Sequence, residues 1–178
     1  MPERSITYRP ATPFDAPRIA ALHARSWQEN YRGDMTDHYL DREAAKERLA
    51  VWTDRFSNTD PNLRVMLAEE CNDLVAFCCL LLHDDPDDGT LLDNLHVRKD
   101  LQGTGVGRRL IRWAAVTTLA EDPTGKLYLW VLKNNVRAAA MYRHIGGRMG
   151  RTEHKQLVPG QPNEVEAVCV HFTAEELV

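Results

Sequence analysis

The sequence lacks the features that would place a protein in a membrane, in the secretory pathway or on a nucleic acid. No apolar run approaches the roughly 18 residues of a transmembrane helix, and the first residues do not show the basic-then-apolar pattern of a signal peptide. Basic residues are not in excess, because 22 Lys and Arg stand against 26 Asp and Glu, a formal charge of −4. We therefore predict a cytoplasmic protein with neither a membrane nor a nucleic-acid partner, and with room for a cationic substrate.

Cysteine and histidine are present but show no ligand-like spacing. The four cysteines contain no Cys-x-x-Cys pair, and three of them lie in apolar, strand-like runs. This pattern predicts reduced packing residues rather than disulfides or zinc ligands, and the histidines show no ligand or triad spacing either. We therefore expect no metal. This expectation applies to Cys71, Cys78, Cys79, Cys169, His96, His154 and His171.

The chain also lacks a linker rich in Pro, Gly or Ser, so its 178 residues predict one domain over residues 1–178. The patterning predicts an α/β (α+β) fold with a mixed, mostly antiparallel twisted sheet of about six or seven strands flanked by helices. The predicted strands cover residues 5–9, 63–69, 74–82, 90–97, 127–132, 148–156 and 164–173, the last two joined by a turn at 159–162. Helices are predicted from Asp15, at 41–55, from Gly105 to about Ala120 and at 135–145.

The two N-terminal helices have recognisable inward faces. In the first, Asp15 is a candidate N-cap and Pro17 suits the first turn. Its apolar stripe comprises Ile19, Leu22, His23 and Trp27. In the second, Ala45, Leu49 and Trp52 are predicted to face inward. Four aspartates between residues 84 and 88 predict a solvated turn, with an amine-recruiting rim as the alternative.

The chemistry concentrates in residues 95–111, where an apolar strand ends, a glycine-rich turn follows and a regular helix begins. Gly103, Gly105 and Gly107 remove the side chains that would hold a ligand away from the main chain. The helix adds its unpaired N–H groups and the positive end of its dipole. Together these features predict an anion site, with phosphate as its natural ligand.

Other phosphate motifs fit this stretch less well. A Walker loop would need Gly-Lys-Ser/Thr, but Arg108 and Arg109 follow Gly107. A dinucleotide fingerprint would need its third glycine one place later and an acid at the end of the next strand, where Lys133 and Asn134 stand. A loop that merely turns the chain ranks below ligand binding.

The stretch resembles the acyl-CoA signature of the GNAT superfamily of N-acetyltransferases, Gln/Arg-x-x-Gly-x-Gly/Ala after a strand ending in Leu-x-Val. Gln102, Gly105 and Gly107 occupy the signature positions, and Leu95 and Val97 end the strand. A second family motif, Asn-x-x-Ala-x-x-x-Tyr-x-x-x-Gly-Phe, matches further along the chain. Its positions are Asn135, Ala138, Tyr142 and Gly146, with Gly147 where the family usually has Phe.

The resemblance implies a GNAT-like fold with a splay between the fourth and fifth strands, in which the pantetheine arm of acetyl-CoA lies. Backbone groups of Leu95 and Val97 would hold that arm, and residues 102–108 the pyrophosphate. The implied cofactor-binding residues are Leu95, His96, Val97, Gln102, Gly103, Thr104, Gly105, Val106, Gly107, Arg108 and Asn135.

The resemblance also implies acetyl transfer from acetyl-CoA to a primary amine by direct attack. Tyr142 is then the general acid for the departing thiolate. Many family members carry a carboxylate where this chain has Leu91, so Asp93, two residues on and on the same face, becomes the first candidate base. A purely structural Asp93 is equally compatible with the sequence. Asn94 could instead order a water. Trp27 and Tyr31, four residues apart, are candidate walls of the acceptor pocket, although a core position also suits Trp27.

Alternatives remain open at this level. Leu91 and Gly147 depart from family habit, which favours a non-catalytic CoA-binding or sensing module as the second hypothesis. A nucleotide-binding Rossmann protein is a third. The last strand could support a homodimer, which the family often forms, or the core of a monomer. The sequence does not identify the acceptor, which could be a small molecule or a peptide amine.

Overall fold

The computed structural model describes residues 5–158 and 164–178, so the predicted turn at 159–162 lies outside the described residues. The strands are β1 (Ile6–Pro10), β2 (Leu63–Glu70), β3 (Asp73–Asp85), β4 (Gly89–Val97), β5 (Lys126–Leu132), β6 (Arg148–Lys155) and β7 (Val165–Thr173). The helices are α1 (Ala16–Asn30), α2 (Ala44–Ser57), α3 (Val106–Glu121) and α4 (Val136–His144). A short 3-10 helix, Pro13–Asp15, precedes α1, and a π-helical turn, Tyr39–Glu43, precedes α2.

In the part of the chain that the structure describes, seven strands form one mixed sheet in the order β1-β2-β3-β4-β5-β7-β6. β1 pairs antiparallel with β2, and β7 pairs antiparallel with both β5 and β6. β4 and β5 are parallel, with Thr90 opposite Leu127 and Leu91 opposite Tyr128. A parallel pair needs a crossover connection, which α3 supplies. The predicted mixed, mostly antiparallel sheet with flanking helices is confirmed.

The chain divides into two compact units, and the single-domain organisation stays a prediction. The first unit comprises Met1–Leu80 with Asn94–Ile111. Its core joins one face of α1 to Trp52 of α2 and to β2 and β3 through Leu67 and Phe77. The second unit comprises Leu81–Asp93 with Arg112–Val178, and its β5 and β7 bury residues such as Leu129 and Val170.

Helix α1 has its predicted buried stripe and its predicted N-cap residue, but the N-cap side chain bonds elsewhere. Its buried side chains include Ile19, Leu22, His23 and Trp27. Asp15 is the N-cap residue of α1, as predicted, but its side chain makes no cap bond to this helix. Its carboxylate instead accepts hydrogen bonds from the Thr12 N–H at 2.8 Å and from Arg9 at 2.7 and 2.8 Å. Arg9 also donates to Glu69, and this ion-pair network lowers the pKa of both carboxyl groups.

Helix α2 is rotated by about one residue from the predicted orientation. Ala45 and Leu49 are exposed, whereas Ala44, Arg48 and Trp52 face inward. The prediction failed because it counted apolar residues only. An arginine can lie on the buried stripe when its stem packs on apolar surface and its guanidinium stacks on an aromatic ring. Here that ring belongs to a tryptophan of α1, 4.3 Å from the guanidinium carbon.

None of the four cysteines, all of which lie among the described residues, is in a disulfide bond. Cys71 is exposed and the other three are buried. Within the described residues, no helix has both the length and the apolar character needed to span a membrane.

Candidate functional site

The glycine-rich loop adopts a backbone conformation that favours glycine. Gly103 has φ +83° and Gly105 has φ +92°, both in the left-handed region, and no heavy atom lies within 4 Å of the position that a Cβ would take at either residue. Backbone conformation rather than crowding therefore selects glycine at both positions. The first hydrogen bond into α3 runs from the Arg109 N–H to the Gly105 carbonyl at 3.0 Å. The N–H groups of residues 106–108 thus precede the helical ladder.

Side chains of the loop tie it to the end of β4. The Gln102 amide donates a hydrogen bond to the Val97 carbonyl at 3.0 Å, and the Thr104 hydroxyl donates to the Leu101 carbonyl at 2.6 Å. Val106 is buried, and Arg108 is exposed at the start of α3. The Gln102 side chain therefore holds the loop against the end of β4.

Two neutral imidazoles, His96 of β4 and His23 of α1, lie next to each other. His96, whose neighbours Leu95 and Val97 are half-buried like itself, bonds through Nδ1 to the Ser26 hydroxyl at 2.8 Å. Burial lowers the pKa of His96 to about 3, assisted by the positive charge of Arg48. The His23 ring lies 4.4 Å away, and burial followed by the neighbouring His96 and Arg48 lowers its pKa as well. Neither ring is a cation at neutral pH.

The candidate acceptor-pocket residues of α1 form part of an aromatic cluster. The rings of Trp27 and Tyr31 are 5.7 Å apart, and the edge of Trp27 meets His23 at 4.8 Å. Trp27 is only 6% exposed, whereas Tyr31, which follows α1, is half-buried. The structure brings the two predicted residues together, and Tyr31 is the more accessible of them.

The candidate base lies on β4. Asp93 is half-buried, and the adjacent Asn94 is 8% exposed. Alternation along a strand puts Leu91 and Asp93 on one face and Asn94 on the other. Leu91 is half-buried opposite Tyr128 of β5, so an aliphatic side chain occupies the position at which many family members carry a carboxylate.

Helix α4 carries the second set of predicted residues. Asn135 is its N-cap, and the side-chain oxygen accepts a hydrogen bond from the Ala138 N–H at 3.2 Å. Tyr142 is 8% exposed, and its ring meets that of Phe172 edge-on with centroids 6.3 Å apart. Asn135 therefore caps α4 through its amide oxygen. The amide N–H groups take no part in this cap.

Glycine stands at two successive positions after α4 for two different structural reasons. Gly146 has φ +100°, the left-handed conformation predicted for the end of this helix. Gly147 has no room for a side chain, because a Cβ would lie 2.7 Å from the Tyr142 carbonyl oxygen and 2.7 Å from a methyl carbon of Val170. This close packing explains why glycine replaces the phenylalanine usual in the second motif.

Three carboxylates of the acidic turn before β4 form hydrogen bonds or ion pairs with other groups of the protein. Asp84 accepts a hydrogen bond from the Tyr128 hydroxyl, and Asp85 accepts from two main-chain N–H groups of the turn. Asp88 pairs with Arg151 at 2.7 Å and with His171 at 3.0 Å. The sequence did not predict these partners. Its only signal was the density of aspartates, which carries no information about long-range pairing.

The chain matches a model of the Acetyltransferase (GNAT) family over residues 18–146. Among curated proteins it is similar to a probable N-acetyltransferase of Mycobacterium tuberculosis, with 25% identity over 155 residues. The match covers 83% of this chain and 85% of that protein.

Solved structures give the same fold at low identity. The PaiA N-acetyltransferase of Thermoplasma acidophilum, solved in complex with coenzyme A, superposes with a TM-score of 0.70 and 15% identity over 92% of this chain and 98% of that one. A GCN5-related N-acetyltransferase of Rhodopseudomonas palustris gives a TM-score of 0.72 and 20% identity over 97% and 98%.

Proposed function

Because the chain belongs to the GNAT acetyltransferase family, we propose that it transfers the acetyl group of acetyl-CoA to a primary amine by direct attack on the thioester. The observation that carries the proposal is the glycine-rich loop. Two left-handed glycines lead into α3, whose first N–H groups precede the helical ladder. Such a loop is suited to the pyrophosphate of coenzyme A, because converging N–H groups and the helix dipole favour an anion.

In the proposed complex, main-chain groups of Leu95 and Val97 hold the pantetheine arm, residues 102–108 hold the pyrophosphate, and Asn135 contributes its free amide N–H groups. The partial exposure of residues 95–97 supports this assignment. One main-chain N–H there would stabilise the oxyanion that forms when the thioester is attacked, a contribution that is often the largest in catalysis.

The transfer requires two proton movements. A thiolate leaves, and the Tyr142 phenol is proposed to protonate it. The attacking amine has a pKa of about 10.4 if it resembles lysine, so it must lose a proton before it attacks. We propose that Asp93 takes this proton directly or through a water, with Asn94 ordering that water. The half-buried position of Asp93 on the central strand supports this role.

The acceptor is proposed to be a small-molecule or peptide amine bound against α1, with Tyr31 and the edge of Trp27 forming part of the wall. The proximity and unequal burial of these two rings support a larger role for Tyr31. We further propose that the chain is a single domain and that it acts in the cytoplasm. The transfer itself is proposed to use no metal. A homodimer formed through the last strands is compatible with the proposal.

The test is to incubate the purified protein with acetyl-CoA and a panel of small amines and peptides while free thiol is measured. We expect acceptor-dependent thiol release and an acetylated product of the matching mass. Acetyl-CoA binding by calorimetry without transfer to any amine would instead support the non-catalytic CoA-binding module. That second candidate is favoured by Leu91 at the usual position of the base. Higher affinity for NAD than for CoA would contradict both.

A further inference from the structure

Three side chains of different chemistry, none of them given a role in acetyl transfer above, meet on the second compact unit. Asp88 lies in the turn before β4, and Cys169 and His171 are two residues apart on β7, so they share one face of the strand. One donor atom from each, a carboxylate oxygen, the sulfur and a ring nitrogen, lies within 4.8 Å of the others.

His171 Nε2 lies close to both of the other donor atoms. His171 Nε2 is 3.0 Å from Asp88 Oδ1 and 3.5 Å from Cys169 Sγ. A ring nitrogen carries at most one proton, so a hydrogen bond to the carboxylate leaves none for the sulfur. The sulfur belongs to a side chain that is 0% exposed, and water does not solvate it. A cation at the centre would be bound by all three groups at once.

We propose that Asp88, Cys169 and His171 form a binding site for a zinc ion. Zinc binds carboxylate oxygen, thiolate and imidazole at about 2.0 to 2.3 Å, which puts neighbouring ligand atoms of a tetrahedron about 3.3 to 3.6 Å apart. The two separations from His171 Nε2, 3.0 and 3.5 Å, are close to that geometry, and the Asp88 oxygen and the Cys169 sulfur lie within 4.8 Å of each other. One carboxylate and one thiolate also balance the double positive charge of the ion.

The surroundings of the cluster resemble the outer shell of a metal site. Arg151 donates to Asp88 Oδ2 at 2.7 Å, which fixes the carboxylate with Oδ1 towards His171, and Arg151 is itself neutralised by Glu153 at 2.8 Å. Outer-shell bonds of this kind orient carboxylate ligands. Gly150 gives the imidazole its space, because a Cβ there would lie 2.7 Å from His171 Cε1.

The cluster is open on one side. The side chains of His171 and Asp88 are 31% and 12% exposed, so an ion can enter and a water can complete a four-ligand shell. Binding requires the thiol to lose its proton to solvent and the neutral His171 ring to carry its proton on Nδ1 instead of Nε2, so one net proton is released for each zinc ion bound. The bound ion would link the turn before β4 to β7. Because it binds only the folded chain, it would raise the free energy of unfolding by mass action.

The test is a titration of the chelator-treated full chain with ZnCl₂ by calorimetry, and with CoCl₂ by absorption spectroscopy. We expect one ion per chain, a sulfur-to-cobalt charge-transfer band, and a rise in Tm with zinc. Cys169→Ser should remove the cobalt band, and His171→Ala and Asp88→Asn should each weaken zinc affinity at least tenfold. Each variant is checked for folding by circular dichroism.

The matched controls are Cys71→Ser, which removes an exposed thiol, and His154→Ala, which removes an exposed imidazole from β6. Both should bind zinc like the wild type. No zinc binding by the wild-type chain, or a cobalt band that survives in Cys169→Ser and disappears in Cys71→Ser, would overturn the proposal. The readouts do not depend on acetyl transfer, so an inactive protein that still binds zinc would support the site independently of the proposed function.

Discussion

His96 on β4 and Ser26 on α1 are joined by a 2.8 Å hydrogen bond between the imidazole Nδ1 and the hydroxyl oxygen. The bond anchors the segment proposed to hold the pantetheine arm to the first helix. It also involves an imidazole that burial keeps neutral, since its pKa is lowered to about 3. Stability should therefore depend on pH through this residue.

We predict that His96→Phe reduces the loss of stability on acidification. In the unfolded chain His96 takes up a proton below its ordinary pKa of about 6.5, whereas the folded chain resists protonation down to about pH 3. Between these values the unfolded state binds more protons, so stability falls as pH falls. From pH 7 to pH 5 this residue should account for up to about 2 kcal/mol.

The measurement is urea unfolding at pH 5, 6 and 7 for the wild type, His96→Phe and the exposed-site control His154→Gln. The difference in the free energy of unfolding between pH 7 and pH 5 should be smaller in His96→Phe only. Equal pH dependence in all three proteins would contradict a pKa of His96 lowered by folding.

Gly105→Glu should abolish CoA binding, because the new carboxylate would compete with the pyrophosphate for the N–H groups at the start of α3. Gly33→Glu is the matched control, since Gly33 has the same φ of +92° and no atom within 4 Å of its missing Cβ. Both substitutions should cost about 1 to 2 kcal/mol of stability through backbone strain. Only Gly105→Glu should lose CoA affinity in calorimetry. Equal affinity in the two folded variants would rule out the loop as the pyrophosphate site.

Two substitutions of Asn135 separate its cap from its proposed ligand contact. Asn135→Asp keeps the oxygen that accepts from the Ala138 N–H but removes the amide donors, so stability should be retained and CoA affinity should fall modestly. Asn135→Ala removes both and should also lose about 1 kcal/mol of stability. Chemical unfolding and CoA calorimetry are measured on each variant. Unchanged affinity in Asn135→Asp would make Asn135 a helix cap only.

Tyr142→Phe keeps the ring that packs against Phe172 but removes the proposed proton donor. We expect kcat to fall about 10² to 10⁴-fold with nearly unchanged CoA affinity. Tyr128→Phe is the control, because it removes a hydroxyl that bonds to Asp84 rather than one assigned to catalysis. Steady-state kinetics on the acceptor found in the screen provide the measurement. A Tyr142→Phe enzyme as fast as Tyr128→Phe would exclude the phenol as the acid.

Asp93→Asn should slow transfer most near neutral pH and less as pH approaches the pKa of the acceptor amine. At high pH, solvent supplies the neutral amine that the base would otherwise generate. Tyr142→Phe should show no such recovery. The measurement is kcat/KM from pH 6 to 9, with the exposed Asp87→Asn as control. A wild-type profile in Asp93→Asn would leave ordered water or the ionisation of the acceptor as the proton route.

The sequence by itself determined the order of strands and helices, the stripe of α1 and the glycine-rich loop after β4. These features depend on short-range patterns: period two in strands, period 3.6 in helices, and glycine where φ is positive. The left-handed conformation of Gly103 and Gly105 is likewise decided by backbone geometry within a few residues. The two family motifs could be recognised for the same reason, since each lies within about 13 residues.

Tertiary structure alone decided which polar residues are buried and with which partners. For α2, Trp52 was predicted correctly, but Ala45 and Leu49 were not, because the buried stripe includes Arg48. Arg48 is stacked on a ring of α1, an interaction between residues 21 positions apart. Asp88 and His171 are 83 positions apart, and only the pairing of β7 with β5, and of β5 with β4, brings them within 3.0 Å. Contacts between side chains far apart in the sequence depend on strand register and on packing between elements. No local pattern in the chain therefore encodes them.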